Sequence, residues 1–356
     1  MLDASRDFMS VLSGQLNPNI PLYCTGYPNL NFMSKYLKQY NIHSTTTEFE
    51  LNHFNYNLIY QMGFDAISLW NFRRGEGGYD LNNNMKVDGW ARIKTKSNWY
   101  MWDGIFKNKD IIASWEHLRP PEKKSITELS RFLKKAKSRL AIILSLPGLF
   151  EKTWQSMGFV YFSKMLRKDL EFIRYVVSFF LEYLEKLISI LIKAGVKNFL
   201  IADDCGYKGR LFIPSSQWDS LFNKPYTNIV EKIHENNCKV IIHSDGYITD
   251  LIPSFIHIGF DAIQGLEPSA GVDIFHVFKK FSDRISYIGN LDMSLLSFGS
   301  RNEVEVYVRK LITSSRKYHA PLIISPTQQI DETTKPENVK IMIDTTKKFK
   351  LKQGHL

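Results

Sequence analysis

The order of apolar and amphipathic segments predicts one α/β unit over residues 1–356, a (β/α)8 TIM barrel with an insertion after its second strand. Three observations carry this expectation. Eight short apolar runs recur along the chain, helical periodicity fills the gaps between the later ones, and a single stretch, 73–135, fits no βα unit.

The predicted strands are IPLYCTG from residue 20, DAISLWNF from 65, LAIILSLPG from 140, NFLIADDCG from 198, KVIIHSDG from 239, DAIQGLEP from 261, ISYIGNLD from 285 and PLIISPTQQ from 321. Each is a near-continuous apolar run, as strands covered on both faces require. Helices are expected over 169–194, 215–236, 248–258, 272–282, 302–316 and 336–350, with the short connections of a closed barrel. The pentapeptide GFDAI occurs at 63–67 and again at 259–263, and AGVKNFLI from 194 has the same shape. In each, a glycine ends a helix and a buried strand begins. Convergent junction chemistry explains the echo, with gene duplication as the alternative.

Within the insertion, VDGWARIKTK predicts a small hairpin. Segments that follow barrel strands lie at the C-terminal mouth, so residues 73–135 are expected to cover it.

With 44% hydrophobic and 23% charged residues, the 356-residue chain can bury a full core and lacks the low hydrophobicity of disorder. Cys24, Cys205 and Cys238 are widely spaced, which suggests neither a disulfide framework nor a CxxC metal site and fits a reducing cytoplasm. The N-terminus carries early acids and does not read as a signal peptide. FIRYVVSFFLEYLEKLISILIKAG is interrupted by Arg174, Glu182, Glu185 and Lys186, so it reads as a core-facing helix and not a membrane span. The net charge of +10 suits an anionic ligand or acidic partner, yet the cations are scattered and no nucleic-acid motif accompanies them. A small-molecule substrate, no nucleic acid, no membrane, and a monomer or homodimer are expected.

The segment KVIIHSDGYITDLIP runs from a buried strand into His243 and Asp245. Asp-Gly is a common loop dipeptide, and a plain turn would account for it. The barrel changes the balance. Asp203, Asp204, His243, Asp245, Glu267, Asp292 and Gln328 all fall at strand C-terminal ends or just beyond, where the fold gathers them on one mouth. Buried charges demand partners, so stability alone gives little reason to collect so many there. Tyr207 is expected to point a polar tip into the cavity, and Arg73 and Arg74 could clamp a carboxylate. Trp70 and Asn71, which end the second strand, join the substrate-binding candidates, and Trp70, Trp90, Trp99 and Trp102 could wall a planar ring or pack in the core.

Several stretches together carry a family resemblance: GLFEKTWQSMG at 148, IADDCGYKGRLFIPSSQWDSLFNKPY at 201, IIHSDGYITDLIPSFIHIGFDAIQGLEPSAGVDI at 241, IGNLDM at 288, KPENV at 335 and VDGWAR at 87. In this order they resemble the uroporphyrinogen decarboxylase superfamily, which also holds cobalamin-dependent methyltransferases. The decarboxylases carry an arginine-rich segment after the first strand and an aspartate after the second. Here the first strand leads into CTGYPNLNFMSKYL, without arginine, and the second ends in Trp70 and Asn71. The superfamily's zinc methyltransferases place His-x-Cys after the fifth strand and another cysteine after the eighth. His243 fits the histidine, Asp245 stands at the first cysteine position, and Ser325 or a neighbour stands at the second.

The resemblance therefore implies a methyltransferase that moves a methyl group from a small donor to the cobalt of a separate corrinoid protein, since the chain has no D-x-H-x-x-G corrinoid motif of its own. His243, Asp245, Asp204 and Glu267 are the expected catalytic residues, with His243, Asp245 and Glu267 as ligands of a zinc ion. The first alternative is a cofactor-independent uroporphyrinogen decarboxylase of tetrapyrrole biosynthesis, and the second is a non-catalytic ligand-binding barrel.

Overall fold

A strand buried on both faces can satisfy its backbone only against other strands, so eight such runs in one chain tend to form a continuous parallel sheet. The computed structural model describes residues 4–40, 56–69, 77–136 and 140–349. Within them the strands are, in chain order, β1 (Tyr23–Cys24), β2 (Ala66–Leu69), β3 (Gly78–Asp80), β4 (Met85–Asp88), β5 (Arg92–Thr95), β6 (Tyr100–Gly104), β7 (Ala141–Pro147), β8 (Asn198–Ala202), β9 (Gly206–Tyr207), β10 (Arg210–Leu211), β11 (Lys239–Ser244), β12 (Ala262–Gly265), β13 (Ser286–Leu291) and β14 (Leu322–Pro326).

Eight of them form one sheet in the order β1-β2-β7-β8-β11-β12-β13-β14, every pair parallel. A parallel bridge between Leu22 and Ile324 brings the last strand beside the first, and the Ile324 N–H donates to the Pro21 carbonyl at 2.9 Å. The result is the (β/α)8 barrel that the apolar runs predict, each of the eight runs supplying one strand.

The barrel interior is a packed core. Tyr23, Ile143, Leu200, Ile241, Ile288 and Ile323 meet inside it. The helix Ala4–Leu12 closes the N-terminal end by laying Phe8, Val11 and Leu12 on that cluster, and Ser286 at the start of β13 ties its hydroxyl to the Val11 carbonyl at 2.6 Å. The helices follow their expected bounds closely. Leu170–Lys193 buries Phe172, Ile173, Val176, Val177 and Phe180, while Glu182 and Lys186 pair at 2.6 Å on its outer face. Among the described residues no helix is long and apolar enough to cross a membrane.

The GFDAI echo is a shared αβ junction. Gly63 and Gly259 end their helices at φ +109° and +96°, values that L-residues rarely adopt. The following aspartate then grips the neighbouring strand. Asp65 accepts from the Leu22 N–H at 2.8 Å, and Asp261 accepts from the Val240 N–H at 2.8 Å.

The insertion holds more regular structure than the single predicted hairpin. Strands β3 to β6 form a four-stranded antiparallel meander. Its β4–β5 turn is tied by Asp88, which accepts from the N–H groups of Trp90 and Arg92, both at 3.1 Å. That turn buries Trp90 against Phe180 and Tyr183 of Leu170–Lys193. Arg92, paired with Asp88 at 2.7 Å, also reaches Gln155 at 3.1 Å, which fastens the meander to the helix Leu149–Met157 that follows β7.

Candidate functional site

The C-terminal ends of β8 and β11 are neighbours in the sheet, so the residues just beyond them meet whatever their side chains. The ladder continues past the strands. The Asp203 N–H donates to the His243 carbonyl at 2.9 Å, the Cys205 N–H to Ser244 Oγ at 2.9 Å, and the Asp245 N–H to Asp204 Oδ1 at 2.9 Å. This zipper sets two carboxylates around one imidazole. His243 Nε2 lies 3.7 Å from Asp245 Oδ1 and 3.9 Å from Asp204 Oδ1. Asp204, His243 and Asp245 each offer a ligand atom within 4.8 Å of the others. His243 is buried and the two aspartates are partly exposed, so the group opens toward solvent on one side.

Glycines allow the loops to close this tightly. Gly246, at φ +82°, comes so near the β9–β10 hairpin that an added Cβ would lie 2.4 Å from Gly206 C. Gly148 meets Asp203 in the same way, with an added Cβ at 2.1 Å from the aspartate Cβ and Cγ.

The expected residues take distinct places. Glu267, expected as a ligand, stands outside the three-residue group. Its carboxylate accepts from the Gly246 N–H at 2.9 Å and from the Ser269 hydroxyl at 3.0 Å, so it holds the loop that carries Asp245. Asp204 takes the third position instead.

Asp203, expected to contact substrate, is fully buried beneath the first turn of Leu149–Met157. Its carboxylate accepts from the N–H groups of Phe150 at 3.0 Å and Glu151 at 2.7 Å and from the Tyr226 hydroxyl. Burial, with the nearby Glu151 carboxylate adding to it, pushes its carboxyl up to about 7 in spite of those bonds. The backbone alternation past β8 thus sends one aspartate of the pair into the protein and the other to the mouth.

Asp292 caps the helix Met293–Phe298 and also accepts from the Ser269 N–H at 3.1 Å, joining the loops after β12 and β13. Burial opposes its ionisation, but the bonds from Ser294 and Ser269 outweigh that and hold its carboxyl below the usual range. Tyr207 is exposed on the hairpin, with the Arg210 guanidinium 4.8 Å over its ring, and Gln328 is exposed beyond β14. Trp70, Asn71, Arg73 and Arg74 lie outside the described residues. Of the other candidate wall, Trp90 is core, while Trp99 and Trp102 are exposed on the meander.

Two residues escape a reading by motif. Gln264, fully buried on β12, faces His243 Nδ1 with its side-chain oxygen. Ser244 receives the Cys205 N–H and so helps to hold the β8 loop against β11. The signal for Gln264 was a single amide inside an otherwise apolar strand. Ser325, at the place of the superfamily's second cysteine, is buried, and its Oγ is 2.9 Å from Thr25 Oγ1.

The sequence matches the uroporphyrinogen decarboxylase (URO-D) family over residues 104–349. No curated protein matches it in sequence. Among solved structures, a methyltransferase from Methanosarcina mazei superposes with a TM-score of 0.69 at 13% identity, covering 98% of this chain and 99% of that one. An L-ribulose 3-epimerase (TM-score 0.45, 9% identity, 91% and 92% covered) and a 3-keto-D-glucoside 4-epimerase from E. coli (TM-score 0.44, 10% identity, 88% and 92% covered) are more distant. The first of these likenesses is one of fold, whereas the family match spans most of the chain and includes every residue of the three-membered group at the mouth: the chain belongs to the uroporphyrinogen decarboxylase (URO-D) family.

Proposed function

We propose that this protein is a methyltransferase that moves a methyl group from a small methylated donor to the cobalt of a separate corrinoid protein, with Asp204, His243 and Asp245 as a zinc-binding centre. The observation that carries the reading is the convergence of those three ligand atoms within 4.8 Å at the barrel mouth. One imidazole nitrogen and two carboxylate oxygens are a donor set that zinc accepts, and three protein ligands leave a position for substrate. Two carboxylates with a neutral imidazole also balance the charge of a divalent ion. A zinc ion held there would supply Lewis acidity to the heteroatom that bears the methyl group.

The chain's own residues prepare the place. Asp204 is held by the Asp245 N–H, and Glu267 holds the next residue of the same loop through the Gly246 N–H. Asp203, anchored beneath Leu149–Met157, sets the backbone from which Asp204 projects. The hairpin β9–β10 is stitched over these loops by the Tyr247 N–H on the Tyr207 carbonyl at 3.0 Å and the Gly209 N–H on the Ala270 carbonyl at 2.9 Å.

The fold likeness to a methyltransferase supports this reading, and so does the lack of arginine in the stretch after β1, which the decarboxylases of the family use to hold polycarboxylate substrates. The family match itself favours a second reading, decarboxylation of a porphyrinogen. One experiment separates the two. Zinc-loaded protein is mixed with reduced free corrinoid and a panel of methylated amines, ethers and thiols, and methyl-cobalt formation is followed by absorbance. Transfer that disappears in His243→Ala supports the proposal. Conversion of uroporphyrinogen to coproporphyrinogen without metal or corrinoid would replace it with the decarboxylase.

A further inference from the structure

The side chain of Gln264 lies wholly inside the barrel, between His243 and the segment that follows β14. Its two ends can be told apart by what they face. One end is 3.1 Å from the Thr327 carbonyl oxygen, a group that can only accept, so that end is the amide NH2. The same nitrogen is 3.2 Å from Thr25 Oγ1. The opposite end, Oε1, therefore faces His243 Nδ1. A turned amide would set carbonyl against carbonyl at Thr327 and NH2 against the ring, with both groups buried.

Oε1 can only accept, so Nδ1 must carry the hydrogen. A neutral imidazole has a single N–H, which leaves Nε2 with its lone pair. Nε2 is the nitrogen that looks toward Asp204 and Asp245, and at 3.9 and 3.7 Å neither separation is that of a hydrogen bond that would draw the proton across. We infer that Gln264 is a positioning residue: its amide, locked by Thr25 and Thr327, fixes His243 as the Nδ1–H tautomer and presents Nε2 as a ready ligand nitrogen to the Asp204–Asp245 pair.

The lock has a second layer. The Thr25 hydroxyl is 2.9 Å from that of Ser325 and 3.3 Å from the Pro326 carbonyl, so the amide is held by the first and last barrel strands together. An amide is the group this place requires. A carboxylate would turn lone pairs toward the Thr327 carbonyl and add a buried charge, whereas a hydroxyl could not span from the ring to Thr327. Outer-shell partners of this kind fix ring orientation and tautomer at metal centres, and losing one typically costs about 10–100-fold in metal affinity.

The metal half of the inference rests on the zinc reading above, but the tautomer does not. Nitrogen-15 NMR of His243 in metal-free wild-type protein, at a pH well above the ordinary imidazole range, should show Nδ1 as the protonated nitrogen and Nε2 as the unprotonated one; the reverse pattern overturns the inference. Gln264→Leu should blur that pattern toward a mixture of tautomers and weaken zinc binding, measured with the metal alone, by about 10–100-fold. An unchanged spectrum with unchanged zinc affinity would overturn it as well. Gln264→Asn keeps an amide but is one methylene too short to span from the ring to Thr327, so it should blur the pattern in the same way and decides the matter if the leucine variant fails to fold. Zinc binding that survives His243→Ala would end the metal reading alone, leaving the tautomer to the spectrum.

Discussion

Replacing Tyr226 with phenylalanine removes one oxygen from a fully buried junction between three elements. That oxygen donates to Asp203 Oδ2 and accepts from the Leu149 N–H at 2.7 Å, so it links the helix Ser215–Glu235 to the β8 loop and to the start of Leu149–Met157. Two losses follow. A hydrogen bond to a charged group contributes about 1.5–3 kcal/mol, and a buried N–H left without its acceptor costs about 1–3 kcal/mol. Relaxation recovers part of this, and a net loss of about 3 kcal/mol is expected.

Urea denaturation followed by tryptophan fluorescence measures it, and a cycle with Asp203→Asn isolates the side-chain pair. Asparagine cannot accept from all three donors that surround Asp203, so that single variant should itself lose several kcal/mol. At a pH well above 7, where Asp203 is ionised, the coupling between the two substitutions should be about 1.5–3 kcal/mol, because the tyrosine's bond to a charged acceptor is lost in either one. A Tyr226→Phe loss below about 1 kcal/mol, or a coupling near zero, would mean that the carboxylate is not held as described. The consequence would reach the site, since Asp204 takes its direction from the residue before it.

Three further outcomes test other parts of the structure. His243→Ala should keep the fold, losing no more than about 2 kcal/mol for the orphaned Gln264 oxygen, while zinc affinity by calorimetry falls further than in Glu267→Gln, whose role is to hold the loop; equal effects would put Glu267 among the ligands. Asp65 has its carboxyl pushed up to about 6 by burial, against the bond from Leu22 and the Lys347 charge. The folded state thus retains a proton that the unfolded chain gives up near 3.8, and stability from this group is full below about pH 4 and falls through about pH 6, by up to about 3 kcal/mol. Asp65→Asn, which keeps the acceptor for the Leu22 N–H, should flatten that part of a urea-midpoint profile; a parallel decline in both proteins would assign the slope elsewhere. Trp90→Ala should cost about 3–5 kcal/mol, because the indole packs the meander onto Phe180 and Tyr183, and a loss below about 1 kcal/mol would show that the meander docks by other contacts.

The barrel was legible because its signal is repeated and one-dimensional. Apolar runs such as NFLIA and KVII have few alternatives, and each confirms the spacing of the next. The meander was half legible for the converse reason. β4 and β5 flank a turn with its own chemistry, Asp88–Gly89, but β3 is three residues of mixed polarity and β6 is exposed over most of its length, so neither alternates clearly enough to be read alone.

The site divides along the same line. That His243, Asp204 and Asp245 would meet followed from barrel topology, because adjacent strand ends are adjacent in space. Which of two consecutive aspartates faces the mouth did not follow. Asp203 and Asp204 are equal in sequence, and what separates them is a tertiary fact: the N-terminus of Leu149–Met157 offers two N–H groups and Tyr226 adds a hydroxyl, all on the Asp203 side. That Glu267 would stand beside the three-residue group and not within it did not follow either, because the Gly246 N–H and the Ser269 hydroxyl that engage its oxygens are set by the folded loops. Proximity at a barrel mouth is thus encoded by strand order, whereas the direction in which a carboxylate such as Asp203 is held is decided by donors that arrive from elements distant in sequence, and a residue such as Gln264 acquires a role only when a distant element supplies a carbonyl that fixes which way its amide must point.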